Sequence, residues 1–251
     1  MIAMETPSRT ISTRFAQDGF AVIDELTDMS TVIALREVYQ DMIDGQVACP
    51  GTDRMLGGIT RQVMLPHVHH PLYADNAAVR AARAIAKELV ECDAPEFLFS
   101  MLIYKPPGHP HETPWHQDMA YAGKPVTPAG TIMPNKAIAQ FWLALDDVDE
   151  TMGCMEFVPG AQDRPMPEHY VAGGEPDDDG RLLAVRDPAK AWDLSRALRC
   201  PLKAGSATVH GYSTPHFTGP NRSDRPRRAY IFSFAHPQVV ADVMARQALP
   251  G

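Results

Sequence analysis

Residues 97–104, Phe97-Leu98-Phe99-Ser100-Met101-Leu102-Ile103-Tyr104, form a continuous apolar run that Pro106-Pro107-Gly108 stops. A run of this length bounded by turn residues predicts a core strand. Short strands separated by turns follow it: the segment around His116, then residues 137–145, 154–158, 207–211 and 228–234. Upstream the texture is helical. Residues 9–19 predict a short helix ending at Gly19, with a strand over 20–23. Ser30 is the expected N-cap of a helix over about 31–44, with Ile33, Leu35, Val38, Met42 and Ile43 as its apolar stripe. Residues 45–58 read as loop. A helix over about 74–90 presents Val79, Ala82, Ile85 and Leu89 on one face. Two long polar connections, 121–135 and 160–195, read as lid-like loops, the second with a solvated turn at Asp177-Asp178-Asp179-Gly180.

Helices first and strands afterwards predict a mainly β fold with flanking helices, the core being a β-sandwich or jelly roll. The 23 prolines and 17 glycines suit many turns. One domain over 1–251 is expected, with a helical N-terminal portion over about 1–95 and a β core over about 96–236.

Charge and cysteine usage narrow the function. A net charge of −8, from 31 acidic and 23 basic side chains, argues against nucleic acid and anionic membrane as partners. Cys49, Cys92, Cys154 and Cys200 are far apart with no C-x-x-C pair, which speaks against a zinc knuckle or a disulfide framework. Residues 1–13 lack the pattern of a signal peptide and no window has membrane-spanning length, so a cytoplasmic protein is expected. Oligomeric state is not legible.

The strongest chemical feature is Trp115-His116-Gln117-Asp118. Side chains repeat every second residue in a strand, so His116 and Asp118 share a face and offer a metal one nitrogen and one oxygen. Near the C-terminus, His216 precedes Gly219-Pro220-Asn221, and Arg225, Arg227 and Arg228 follow. Two imidazoles and one carboxylate make the facial set of non-haem iron sites; zinc accepts similar ligands, so ligand type leaves the metal open. The groups His67-Val68-His69-His70 and His109-Pro110-His111 are bracketed by prolines and read as structural.

The strings 101–107 and 115–121, Gly153-Cys154-Met155-Glu156-Phe157-Val158-Pro159-Gly160, and the segment 216–228 resemble the phytanoyl-CoA dioxygenase family, in family order, from about Phe20 to Phe234. The resemblance implies a double-stranded β-helix (a cupin-like jelly roll) holding Fe(II), with 2-oxoglutarate and O2 as co-substrates. Carried over by position, His116, Asp118 and His216 bind iron and Arg227 holds the distal carboxylate of 2-oxoglutarate, for which a planar guanidinium is suited. Thr218 adds a hydrogen bond to the same molecule, Met101 and Trp142 wall it, and Gln117 sits between the metal ligands. Gly160-Ala161-Gln162 departs from the Gly-Ser-His often found in relatives.

If Arg227 points into the barrel, as the resemblance implies, strand parity places Ala229, Ile231 and Ser233 inside with it and Tyr230, Phe232 and Phe234 outside. Trp142 then shares its face with Gln140 and Ala144. Arg228 has the opposite parity and is expected exposed or paired with an acid. A carboxylate at Asp118 favours hydroxylation over halogenation, because related halogenases have a small residue there. The expected activity is oxidation of a small or medium-sized metabolite or natural product with release of succinate and CO2. The alternatives are a cupin-like Zn/Mn hydrolase or isomerase with the same ligands, and a catalytically silent binding module. Arg61 and Gln62 are candidates for the pocket mouth. Lys105, Lys124, Lys136 and Arg61 are the scattered cations available to a CoA phosphate.

Overall fold

The computed structural model describes residues 7–121, 134–178 and 180–241. Helix α1 (Pro7–Asp18) stops at Gly19, whose φ of 84° favours glycine, and leads into β1 (Phe20–Ile23). Asp28, rather than Ser30, caps α2 (Met29–Ile43): its carboxylate accepts from the Thr31 N–H at 2.8 Å. The Ser30 hydroxyl donates to the same carboxylate at 2.7 Å. An ionised carboxylate is the stronger acceptor, so the helix begins earlier than the serine suggested. Its buried stripe is Val32, Leu35, Tyr39 and Met42, which leaves Ile33 50% exposed against expectation.

Residues 45–58 are not all loop. They contain β2 (Asp53–Leu56), which turns through Gly57 and Gly58 into β3 (Thr60–Met64). After the one-turn α3 (Pro66–His69), Asn76 caps α4 (Ala77–Leu89), whose Ala78, Ala82 and Ala86 are buried and let the helix lie close to the sheet. Then come β4 (Glu96–Lys105), β5 (Thr113–His116), α5 (Pro134–Ala137), β6 (Ile138–Ala144) and β7 (Met155–Phe157). The connection 160–195 is not an open loop either. It carries the hairpin β8 (His169–Gly173) and β9 (Leu182–Val185), then α6 (Pro188–Ala191). The chain continues with β10 (Leu198–Cys200), β11 (Ala207–Gly211), β12 (His216–Thr218) and β13 (Arg227–Ala235). Of the 121–135 connection, 122–133 lie outside the described residues.

The strands form a jelly roll. A seven-stranded sheet in the order β1-β11-β6-β13-β4-β3-β2 is opposed by the four-stranded β10-β7-β12-β5. Three strands from the first 95 residues therefore complete the large sheet, so the expected division into a helical portion over 1–95 and a β core over 96–236 is corrected. Backbone pairing rather than apolar periodicity incorporates β2 and β3, which sequence periodicity could not show.

β13 shows the division into faces. Tyr230, Phe232 and Phe234 pack with Phe141, Leu143, Leu35, Tyr39 and Tyr73 under the helices. Tyr230 donates to the Tyr73 carbonyl at 2.5 Å, and Tyr73 donates to the Leu35 carbonyl at 2.8 Å. Ala229 and Ile231 pack inward with Trp142, Ala144 and Ile103, as parity requires.

Close backbone contact joins two loops at one end of the barrel. Gly153 has φ of 73°, and a Cβ there would lie 2.2 Å from the Gly219 carbonyl oxygen. We predict that Gly153→Ala costs more than the roughly 1–2 kcal/mol of the left-handed backbone, because the added Cβ also meets the Gly219 carbonyl. Urea unfolding that shows no loss of stability would refute the contact.

Candidate metal centre

His116 ends β5 and lies opposite His216 of β12. Asp118 opens a short 3-10 turn and so is not on the strand, contrary to expectation. The intervening Gln117 keeps extended dihedrals (φ −124°, ψ 133°), so the two side chains still project together. Ligand atoms of His116, Asp118 and His216 lie within 4.8 Å of one another. Each histidine is oriented by backbone. His116 Nδ1–H donates to the Pro114 carbonyl at 2.7 Å and His216 Nδ1–H to the Thr214 carbonyl at 3.0 Å, which turns both Nε2 lone pairs toward Asp118. The Nε2 atoms are each 3.7 Å from an Asp118 oxygen.

The electrostatics match a cation site. Burial, then the neighbouring His116, pushes the His216 imidazole down to about 3, so it is neutral and able to coordinate at neutral pH. Burial would raise the Asp118 carboxyl, but His216, His116 and His210 outweigh it and hold the group well below the usual carboxylate range. Gln140 Nε2 donates to Asp118 Oδ2 at 2.6 Å, and His210 Nε2 is 3.4 Å from the same oxygen. Sequence reasoning missed His210. Its signal was parity in β11, where His210 lies opposite the inward Gln140 and Thr208 opposite Trp142.

Farther along the same interior lie two buried basic side chains, Arg227 and Lys105. Arg227, 1% exposed, donates to the Gly153 carbonyl at 2.6 Å and lies 5.5 Å from the centre of the Trp142 ring. Its Nε is buried without a partner. Lys105, expected as a scattered surface cation, is fully buried and donates to Thr218 Oγ1 at 3.3 Å and to the Gly219 carbonyl at 2.8 Å. Met101 packs against the cluster that contains Trp142. Asn221 Nδ2 donates to the Lys105, Pro106 and Arg225 carbonyls and so ties the 219–225 loop to the end of β4.

Other candidates are placed differently. Gln117 faces away from these side chains and donates to the Ser213 carbonyl at 2.5 Å, while its N–H donates to His169 Nε2 at 3.0 Å. It therefore holds the strand–loop framework in position. Arg61 is not in the interior: it pairs with Asp53 at 3.0 and 2.7 Å, on the face it shares with Tyr104. Gln62, one residue on, lies opposite Ile103 on the inner face, 1% exposed, with neither amide atom partnered. Arg228 is paired with Asp146 at 3.0 and 2.8 Å, as its parity required. Lys136 pairs with Glu91, and Lys124 lies outside the described residues. His67 and His69 bond to Ser100 and Thr52, consistent with structural roles.

The β8–β9 hairpin covers the metal end. In addition to the His169 contact, the Leu183 N–H donates to the Tyr121 hydroxyl at 3.1 Å, and Tyr121 meets the His116 ring edge-on at 5.8 Å. Among the described residues no helix is long and apolar enough to cross a membrane.

A family model for phytanoyl-CoA dioxygenase matches residues 15–229. The chain belongs to the phytanoyl-CoA dioxygenase family. The phytanoyl-CoA dioxygenase domain-containing protein 1 of Danio rerio is 29% identical over 167 residues, 66% of this chain and 53% of that protein. The rat protein of the same name is 26% identical over 167 residues. The chain spans about half the length of the curated relatives it matches. Among solved structures, EvdO2 from Micromonospora carbonacea var. aurantiaca, complexed with 2-oxoglutarate, is 29% identical with a TM-score of 0.74, covering 95% of this chain and 98% of that one. The epimerase SnoN from nogalamycin biosynthesis shares the fold at 19% identity and a TM-score of 0.67, covering 97% and 90%.

Proposed function

We propose that this family member is a non-haem Fe(II)- and 2-oxoglutarate-dependent dioxygenase that hydroxylates a small or medium-sized metabolite or natural product. The observation that carries the reading is Arg227. A buried guanidinium with no carboxylate partner among the described residues, sharing a barrel interior with a two-histidine, one-carboxylate set, is built to receive an anionic co-substrate. Its unpartnered Nε and the N,N,O donor set fit a carboxylate and iron together. A cupin-like hydrolase or isomerase would use the metal ligands but has no use for Arg227. The solved EvdO2 structure with 2-oxoglutarate supports the same assignment.

Iron, 2-oxoglutarate and O2 together supply oxidation of an unactivated C–H bond, with succinate and CO2 as co-products. The chain's own residues supply position. His116 and His216 present Nε2 because their Nδ1–H groups are held by carbonyls. Gln140 fixes the Asp118 carboxylate, and Arg227 with the Thr218 hydroxyl anchors the far end of the keto acid. Trp142 and Met101 exclude water along its chain. Asp118 fills the place that a halide would need, which supports hydroxylation. The CoA-ester alternative is weakened because Arg61 and Lys136 are already paired with acids.

The test is succinate formation. With Fe(II), ascorbate and 2-oxoglutarate the protein is expected to release succinate, and Zn(II) in place of Fe(II) is expected to abolish release. Activity on a metabolite that persists with zinc and ignores 2-oxoglutarate would favour the hydrolase reading. Product mass then separates outcomes: a gain of one oxygen atom marks hydroxylation, and unchanged mass marks epimerisation.

A further inference from the structure

Lys105 and Arg227 are directly opposed residues of neighbouring antiparallel strands, so their side chains share the inner face. Both are fully buried or nearly so, and among the described residues neither has an ion-pair partner. Two buried like charges side by side are costly unless an anion joins them. Lys105 also donates to the Thr218 hydroxyl oxygen. That leaves the hydroxyl hydrogen free to be donated elsewhere in the interior. An ammonium has three N–H donors, and the two acceptors named above use two of them.

We propose that Lys105 is a second positioning cation of this barrel interior and that a dicarboxylate co-substrate binds there together with one proton. The inference rests on the co-substrate reading above. Burial first, then Arg227, pushes the Lys105 amine down to about 6, with the exposed Glu112 opposing weakly. Before a carboxylate arrives, Lys105 is therefore mostly neutral at pH 7.5. A dianion beside Arg227 offsets that repulsion and favours the ammonium, so solvent supplies a proton to the Nζ lone pair.

Arg227, His109 and Cys154 stay out of this window. Arg227 on β13 remains charged, lowered by burial only to about 10. His109, after the end of β4, is pushed down to about 4 by burial and then by Lys105, and bonds to Thr60 at 2.8 Å. Cys154, beside Arg227, is pushed up to about 11 by burial. At the end of β12 and just beyond it, the Thr218 hydroxyl and the Gly219 carbonyl accept from the amine.

The sign follows from linkage. The pKa of Lys105 in the complex lies above its value of about 6 in the free protein. Between the two, binding takes up a proton, so affinity falls by up to about tenfold per pH unit as pH rises. Below the free value Lys105 is already charged and uptake vanishes.

Calorimetric titration of the anaerobic Fe(II)-loaded protein with 2-oxoglutarate tests this, using buffers of different ionisation heat. At pH 7.5 the buffer dependence is expected to report uptake of about one proton, falling toward zero at pH 5.5. Lys105→Met and Lys105→Arg are both expected to bind with no uptake, and His109→Gln to keep it. Binding by the native protein without proton uptake overturns the inference while leaving the co-substrate reading intact. Uptake that persists in either folded Lys105 variant overturns it as well. If the native protein shows no binding heat, the co-substrate reading itself falls. The native protein at two pH values decides the matter even where a variant fails to fold.

Discussion

Succinate formation from 2-oxoglutarate is expected to fall by more than about 100-fold in His116→Ala, because losing a partner of a metal ligand alone costs about 10–100-fold. The ligand itself contributes more. His116 and His216 are paired across β5 and β12, and their ring centres are 4.2 Å apart. Removing either imidazole leaves one nitrogen and one carboxylate, too few to hold iron against chelators. The same preparation should therefore contain little iron after dialysis, while its urea unfolding midpoint stays near that of the native protein. Native turnover in His116→Ala would eliminate this metal centre. A variant that loses activity but keeps its iron would move His116 out of the ligand set.

Arg227→Ala is expected to raise the 2-oxoglutarate KM by about two to three and a half decades. A buried charge-assisted pair that loses one partner costs about 3–5 kcal/mol, at 1.4 kcal/mol per decade. Iron content should be unchanged, because Arg227 is not part of the ligand set. Arg227→Lys should recover little, since an ammonium cannot form the planar two-point contact or stack on Trp142. The internal control is Arg228→Ala. Arg228 is bound to Asp146 on the other face, so its loss should affect stability rather than KM. A KM effect confined to Arg228→Ala would reverse the assignment of the anchor.

The two replacements are expected to fail in different ways, and the difference is diagnostic. His116→Ala should remove the metal and with it all turnover, whereas Arg227→Ala should keep the metal and recover rate at high 2-oxoglutarate.

Much of the site was legible because it is short-range. His116 and Asp118 are separated by one extended residue, and an alternating strand fixes Arg227 against Arg228 and Trp142 against Phe141. Those relations follow from backbone geometry wherever the strand forms. The N-cap at Asp28 was missed because Ser30 is an equally good capping type, and only the carboxylate's second hydrogen bond ranks them. The hairpins β2–β3 and β8–β9 were missed for a different reason. Their residues carry no sustained apolar alternation, and they become strands by pairing with β4 and with each other.

The sequence determined the His116–Asp118 pair and, through the family resemblance, the histidine and arginine expected to complete the set. A two-residue repeat then placed the aromatic rings of β13 on the face opposite Arg227. Tertiary structure alone decided the rest. It placed His210 and Gln140 against Asp118, buried Lys105 beside Arg227, sent Arg61 to Asp53 and left Gln62 inside. Each of those outcomes depends on which strand lies next to which. Pairings between positions such as 105 and 227 are set by sheet closure over the whole chain, and no local pattern encodes them.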